Sequence, residues 1–580
     1  MMNLCLFLRS GAFSAVVFLF SVTCLVSAAP VGLVEERPLE IRTLEDGHLW
    51  IDFGKVSFGN LELKAPQDAE IVVHFGEAAA DGRIDREPPG TVRYSKVPLS
   101  MKAGTQIVAP PADKKNTSTN DDRHPPAILT PEEWGVITPF RWVEIEGWPG
   151  ELKPEQIVRR SAFPVGWDDE AAAFESSNET LDAIWELCRY SIKATSFAGV
   201  YVDGDRERIP YEADAYLNQL SHYFVDPDKQ MARDTYDRLM EHPTWPTEWA
   251  PHMVFMAHAD WMHTGDAEWL KPRYEALKGK LLMDRVGKDG LVVSNEKQVK
   301  RDDIVDWPKG ERDGYVFRRV NTVVNAFHIE ALRRMAALAD AVGKMDEASE
   351  YRMRADKVEK VFNEKLLMKK GVYRDGIGTD HAAFHASMFP LAFGLVPEEQ
   401  VPTVVRHLVG KGMACSVYAA QYFMEALFEN GAGDEALDLI LADGDRSWRH
   451  MLESGTTITW EAWDHKYKPN QDWNHAWGAA PANLLPRYVL GADPLEPGWE
   501  VVGIRPNLGD LTYAKGRVPT VKGPIEIEWK VEGEVLHLDL EVPEGMGVRI
   551  DLSSESRKVY VNGSPKALSP KDGWMPLLLN

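Results

Sequence analysis

From Asn178 to Gly491 the apolar residues return every three or four positions, the period of one face of an α-helix. Stretches such as "NETLDAIWELCRYSIKATSFA", "YEADAYLNQLSHYFV" and "VYAAQYFMEALFENG" carry the pattern, and about a dozen of them follow one another. Asn178 stands where a helix N-cap belongs. No repeat of fixed length joins the segments, which argues against a regular solenoid and for a closed toroid of paired helices. Such a ring leaves one end where long loops gather acids and aromatics.

On either side the period drops to two. "HLWIDFGKVSFGNLELK", "AEIVVHFGEA" and "RWVEIEGW" alternate apolar and polar residues, with glycine at the breaks. The stretch 109–126, "APPADKKNTSTNDDRHPP", interrupts them as a polar loop. After Gly491, "PIEIEWKVEGEVLHLDLEVPEG" and "VRIDLSSESRKVYVNG" alternate again and predict a small β-sandwich. At 580 residues the chain exceeds one core. It divides into a β region at 29–170, a helical region at 171–491 and a second β region at 492–580. Residues 1–28 precede them. There Arg9 leads into an apolar run ending on Val26 and Ala28, the pattern of a signal peptide cleaved after Ala28. A secreted or periplasmic location follows, with no membrane span once the signal is removed. An uncleaved anchor is the competing reading.

Composition narrows the partners. A formal charge of −24 repels phosphate, so nucleic acid is not expected. The 19 Trp, 17 Tyr and 21 Phe suit a sugar-binding cleft, although large cores also use aromatics. Two of the four cysteines leave with the signal; Cys188 and Cys415 either pair or stay as buried thiols. Neither CxxC nor HExxH occurs, and no metal or cofactor is expected.

Two dense stretches hold the candidate chemistry. "DGDRERIPYEAD", residues 203–214, packs Asp203, Asp205, Glu207, Glu212 and Asp214 around Arg206 and Arg208. A calcium loop would need glycine at its sixth position and a glutamate at its twelfth, where Arg208 and Asp214 stand. A solvated turn competes with half of an active site. The run follows the apolar "SFAGVYV", and Pro210 suits the first position of the next helix. The second stretch is "SGTTITWEAWDHKYKPNQDWNHAWG", residues 454–478. It sets Glu461 between Trp460 and Trp463, with His475 further on. Indole rings cover apolar sugar faces while a carboxylate does the chemistry. A buried glutamate paired with an arginine is the alternative.

Together the two stretches resemble the motifs of the inverting α-L-rhamnosidases of glycoside hydrolase family 78. "DGDRERIPYEAD" is similar to that family's acid motif, D-C-P-x-R-D-E-R-x-G-W-x-G-D, and one residue shorter at its start. "TTITWEAWD" with the later "NH" is similar to its base motif, T-T-x-W-E-x-W-D. The resemblance implies that Glu207 is the general acid and Glu461 the general base. It implies sugar contacts from Asp203, Arg206, Asp214 and His475, with Tyr211 standing where the family has tryptophan. "VDWP" looks like a G-D-W motif and adds Asp306 and Trp307; Trp249 and Trp460 complete the expected site. The implied fold is multidomain and mainly α: an (α/α)6 toroid flanked by N- and C-terminal antiparallel β-sandwiches.

An inverting glycosidase needs one carboxylic acid to protonate the departing oxygen and one carboxylate to activate water on the opposite face, roughly 6.5–9.5 Å apart. The expected activity is exo-hydrolysis of terminal α-L-rhamnosyl residues from plant or algal oligosaccharides. The alternatives are another hydrolase on the same toroid, such as one for unsaturated uronyl residues, and a non-catalytic sugar-binding protein.

Overall fold

The structure is a computed structural model and describes residues 31–117, 125–552, 557–566 and 574–577. The signal-like residues 1–28 and part of the polar loop lie outside the described residues.

The N-terminal alternating segments form one eight-stranded sheet, and every pairing in it is antiparallel. Its spine is the long strand Leu49–Ala65. The first part of that strand pairs with Glu40–Thr43 and Thr138–Glu146, the last with Ile157–Pro164 and Gly104–Val108. Between Asp52 and Ser57 the register shifts. A bulge of this kind bends a sheet. Here a single sheet curls on itself around Ile51, Phe53, Leu61, Val73 and Phe140, where two packed sheets were expected.

Helices begin with Glu179–Thr195. Its N-cap Asn178 accepts from the amides of Thr180 and Leu181, both at 3.1 Å, as the sequence pattern anticipates. Among the described residues six helices form a closed circuit of contacts. Glu212–Val225 packs on His252–Thr264, which packs on Thr322–Ala341. Phe384–Ala392, Val417–Glu429 and Pro481–Leu484 follow, and the last returns to Glu212–Val225. No described helix is long and apolar enough to cross a membrane. Cys188 and Cys415 are both free and buried, so they stay thiols.

The C-terminal region holds a six-stranded and a four-stranded sheet. They are not wholly antiparallel, contrary to expectation. Val535–Glu541 pairs in parallel with Lys558–Val561, and Val501–Ile504 with Gly547–Ile550. The reason is the path of the chain. After Val535–Glu541 it crosses to the other sheet as Gly547–Ile550 and returns, so it re-enters the first sheet running the same way. The six-stranded sheet also takes an edge strand, Ala173–Ser176, from just ahead of the first helix.

Tight packing tethers the β regions to the helices. Phe58 of the N-terminal sheet stacks on Phe197 at 3.8 Å and joins Ala162, Val200 and Val202 in one cluster. The apolar run "SFAGVYV" is therefore pinned to that sheet just before the acidic stretch begins. At the other end, Gly516 lies where Ala173–Ser176 is added. A Cβ there would stand 2.3 Å from the Ala173 carbonyl oxygen and 2.5 Å from Leu490 Cδ1. Backbone cannot yield as a side-chain tip can. Gly516→Ala should therefore lower stability by about 1–3 kcal/mol, the usual scale of overpacking. Denaturant melts measure this, and an unchanged midpoint would contradict the close approach.

Candidate active site

The acidic stretch is not a solvated turn. Asp203, Asp205, Arg208, Glu212 and Asp214 are all buried, and each carboxylate is used differently. The loop first closes on itself: Asp203 N donates to the Ile209 carbonyl at 3.0 Å, and Ile209 N donates to Asp203 Oδ1 at 3.0 Å. Gly204, at φ +110°, permits the turn, and a Cβ there would meet Asn474 Oδ1 and Asp472 Oδ2 at 3.0 Å. Asp205 is the loop's anchor. It accepts from Arg208 at 2.6 and 2.9 Å and from Arg93 Nε at 2.6 Å, while its own amide donates to Asn474 Oδ1 at 2.7 Å. Glu212 accepts the Thr244 amide at 2.9 Å and the Thr244 hydroxyl. Spread over separate partners, the carboxylates share no centre for a calcium ion.

Pro210 does not open the next helix. Tyr211 is the extended N-cap of Glu212–Val225, so Pro210 lies one residue before the cap. From that place the Tyr211 hydroxyl donates to Glu207 Oε2 at 3.0 Å.

Arg206 joins the two stretches. Its Nη1 and Nη2 donate to Glu461 Oε2 and Oε1 at 2.8 and 3.1 Å, and its Nε lies 3.4 Å from Glu207 Oε1. Arg208 turns away to Asp205. Glu461 also receives Lys468 Nζ at 3.0 Å and the Asp472 amide at 3.2 Å. Burial pushes Glu461 up, but the Arg206 guanidinium, with Lys468, overrides it and holds the carboxyl at about 2. His475 adds little there at neutral pH, since burial holds it down to about 3 and keeps it uncharged. Its Nε2 stands 3.5 Å from Asp214 Oδ1. Burial first, then the nearby Glu461 charge, raises Asp214 well above the usual range. Burial and then Glu207 do the same to Asp203.

A chain of rings borders this cluster. Tyr211 meets Trp249 edge-on at 5.8 Å, Trp249 meets Tyr418 at 6.1 Å, Tyr418 stacks on Trp477 at 5.7 Å, and Trp477 touches His475 at 4.6 Å. The Trp249 Nε1–H is buried with no partner among the described residues. The structure thus brings together Glu207, Glu461, Asp203, Arg206, Tyr211, Asp214, Trp249 and His475.

Three expected residues behave differently. Trp460 stacks on Trp473 at 4.7 Å, outside the chain of rings, and Trp463 is buried with its indole donating to the Cys415 carbonyl. Neither ring beside Glu461 is an open sugar platform; Trp477, equally buried, donates to the Glu461 carbonyl at 3.0 Å and braces that loop. Asp306 is saturated. His385 Nε2, the Ser416 amide and hydroxyl, and the Trp307 amide all point to its carboxylate. It ties the N-cap of Val417–Glu429, which is why it has no lone pair to spare for a sugar. Trp307 is half-buried beside it.

Sequence reasoning missed Glu77, Thr91, Arg93, Glu248, Lys468, Asp472 and Asn474. Lys468, Asp472 and Asn474 lay inside the quoted second stretch, and their polarity was a usable signal. The others carried none, since their partners are distant in the chain. Several are buried acids. Glu77 and Glu248 are pushed up to about 8, first by burial, and Asp472 to about 7 by burial reinforced by Glu461.

These shifts set a pH dependence of stability. Unfolded Asp and Glu titrate near about 4. Between about 4 and 8 the folded chain keeps protons on these carboxyls that the unfolded chain releases, so stability falls as pH rises through that window. Buried His252, His328 and His475, held down to about 3 or 4, act oppositely, but only below about 6.5. From there to about pH 8 the carboxyls dominate; above it Lys229, pushed down to about 8 by burial, acts oppositely. The thermal midpoint should therefore drop between about pH 6.5 and 8, and Glu77→Gln and Glu248→Gln should each flatten the fall. A midpoint that climbs over this range would refute the buried protonated acids.

Comparison with known proteins bears on the family of the chain. Residues 169–489 match the bacterial alpha-L-rhamnosidase 6 hairpin glycosidase domain, and residues 491–566 match the bacterial alpha-L-rhamnosidase C-terminal domain. An α-L-rhamnosidase of Alteromonas sp. (strain LOR) is 22% identical over 565 residues, which cover 89% of this chain and 57% of that protein. One from Formosa agariphila is 22% identical over 347 residues, 54% of this chain and 34% of that protein. The chain thus spans about half, or less, of the length of these relatives. Among solved structures, the α-L-rhamnosidase from Dictyoglumus thermophilum superposes with a TM-score of 0.72 at 20% identity, over 90% of this chain and 59% of that one. The Aspergillus terreus enzyme gives 0.73 at 19%, over 90% and 62%. At these identities the superpositions speak for the fold. The helical-domain match spans more than half of the sequence, and on that ground the chain belongs to the family of the bacterial alpha-L-rhamnosidase 6 hairpin glycosidase domain.

Proposed function

We propose that this chain removes terminal α-L-rhamnosyl residues from plant or algal oligosaccharides with inversion, using Glu207 as general acid and Glu461 as general base. The observation that carries the reading is the joining of these two carboxylates by one guanidinium, in a chain of this family. Their surroundings differ in the sense required. The Glu207 side chain is 34% exposed and that of Glu461 is 3% exposed. A leaving group departs toward solvent, which suits Glu207; a base that activates one enclosed water suits Glu461.

Glu461, held at about 2, is ionised at working pH, as a base must be. Its Oε2 is crowded by Arg206, Lys468 and the Asp472 amide, whereas Oε1 has Arg206 Nη2 alone. Oε1, the less crowded oxygen, is therefore the atom that takes the proton of the attacking water while Arg206 stays on Oε2 through Nη1. Water adds to the anomeric carbon from that side. The bond to the departing oxygen breaks on the other side, and Glu207 supplies the proton that oxygen needs. Asp203, Arg206, Tyr211, Asp214, Trp249 and His475 hold the sugar, with Trp307 at the rim. Asp306 and Trp460 act as supports. The closed circuit of six helices supports an (α/α)6 toroid as the frame, within boundaries near 171 and 491.

Glutamine substitutions separate the two roles. Glu207→Gln should lose most activity on substrates with poor leaving groups, and Glu461→Gln on good and poor alike, each by at least about 100-fold. Near-wild-type turnover in either variant would remove that residue from the mechanism. With time-resolved NMR, β-L-rhamnose should be the first anomer seen; early α-anomer would exclude inversion.

The signal-like start supports export. The mature protein should begin near Ala29 and lie outside the cytoplasm. Terminal sequencing that finds Met1 on soluble, active protein would rule this out.

A further inference from the structure

Both carboxylate-bearing loops belong to the helical region, yet both are gripped from outside it. Between the strands Ala69–Gly76 and Tyr94–Met101, the N-terminal sheet presents Glu77, Thr91 and Arg93. Arg93 holds the loop that carries Glu207: its Nε donates to Asp205 Oδ2 at 2.6 Å and its Nη2 to the Asp205 carbonyl at 3.1 Å. Glu77 bridges the two loops. It accepts from Asn474 Nδ2 at 2.8 Å, and Asn474 Oδ1 accepts from the Asp205 amide. Thr91 holds the loop that carries Glu461. Its amide donates to the Gln471 carbonyl at 3.2 Å, and its hydroxyl lies against Asp472 Oδ1, with the Gln471 carbonyl at 3.0 Å as a second acceptor.

Asp472 is the joint of this arrangement. It is 1% exposed. Its amide donates to Glu461 Oε2 at 3.2 Å, and its carbonyl accepts the Glu461 amide at 3.1 Å. Its Oδ2 lies 3.4 Å from the Arg206 amide and 3.8 Å from Arg206 Nη1. One residue of the N-terminal sheet thus touches a buried carboxylate that touches both Arg206 and Glu461.

We propose that this segment of the N-terminal sheet is a positioning element of the active site, in which Thr91, acting through Asp472, fixes Arg206 against Glu461. The proposal rests on reading Glu207 and Glu461 as the working pair. Thr91 is a positioning residue and touches no reacting atom. The physical ground is the cost of leaving a buried carboxyl oxygen without its hydrogen-bond partner, a cost largest above about pH 7, where Asp472 is ionised. Without the Thr91 hydroxyl, the nearest cationic partner for Asp472 is the Arg206 guanidinium, 3.8 Å from Oδ2. A guanidinium drawn toward Asp472 is drawn off Glu461. The sheet itself would stay in place, because other contacts dock it. Phe58 stacks on Phe197, the Tyr190 hydroxyl donates to the Val56 carbonyl at 2.8 Å, and the Val56 amide donates to Thr457 Oγ1 at 2.8 Å.

The test uses the full chain with Thr91→Val, which keeps the branched shape and removes the hydroxyl, and Thr91→Ser, which restores it. On an aryl α-L-rhamnoside, Thr91→Val should lower kcat by about 10-fold or more, the scale of a small misplacement of catalytic groups, with KM nearly unchanged. Thr91→Ser should recover most of the loss. Amide hydrogen exchange gives a second readout that needs no substrate. In Thr91→Val, exchange should quicken in segments 203–209 and 459–475 and stay as in the parent in the helix Thr322–Ala341. Wild-type kcat with unchanged exchange in both segments would overturn the proposal. Should the parent protein cleave no rhamnoside, the functional reading fails. Exchange then decides the positioning role alone: faster in the two segments supports it, unchanged overturns it.

Discussion

The site is organised by a charge that cannot be left alone. Glu461 is nearly sealed from solvent, and an isolated carboxylate there would be costly; breaking a buried ion pair costs roughly 3–5 kcal/mol. Arg206 answers it through two nitrogens, and Lys468 and the Asp472 amide complete the shell. Arg206 is held in turn by the Asn470 carbonyl at 2.9 Å, from the loop of its partner. The two stretches can therefore be buried only together. Glu207, the neighbour of Arg206, is carried to the same place and left partly open.

Holding irregular loops in so fixed a geometry requires anchors that do no chemistry. Asp205 is one, wedged between Arg93 and Arg208. Asp306 is another, tying the amide and hydroxyl of Ser416, at the start of Val417–Glu429, to His385. Both look like site residues by their charge. Each is spent on holding other groups still. Groups with free valence remain beside them: Glu207 with one strong contact, Trp249 with an indole N–H unpartnered among the described residues, and Asp214 with a long contact to His475.

The N-terminal sheet belongs to this logic too. By sequence it is a separate β region. In space it supplies donors and acceptors to both catalytic loops, and the apolar run before the acidic stretch packs against it. The loops that carry Glu207 and Glu461 are thus contacted from outside the helices by a β region.

What the sequence determined by itself was local. The period of three and four marked the helices, the period of two marked the strands, and Asn178 marked a helix start, because these depend on near neighbours along the chain. Within "DGDRERIPYEAD" and "TTITWEAWD" spacing alone left a solvated turn and a paired glutamate open, and it is the resemblance to family motifs that points to Glu207 and Glu461. Tertiary structure decided the rest. It chose Asp205 over Glu207 as the partner of Arg208, buried Trp460 and Trp463, saturated Asp306, joined one sheet where two were expected, and sent a strand between sheets to return in parallel. It also recruited Glu77 and Thr91, whose partners Asn474 and Asp472 lie 397 and 381 residues away. Hydrogen-bond choice and burial are settled by which groups meet in space, and the pattern of charges along a chain does not contain that.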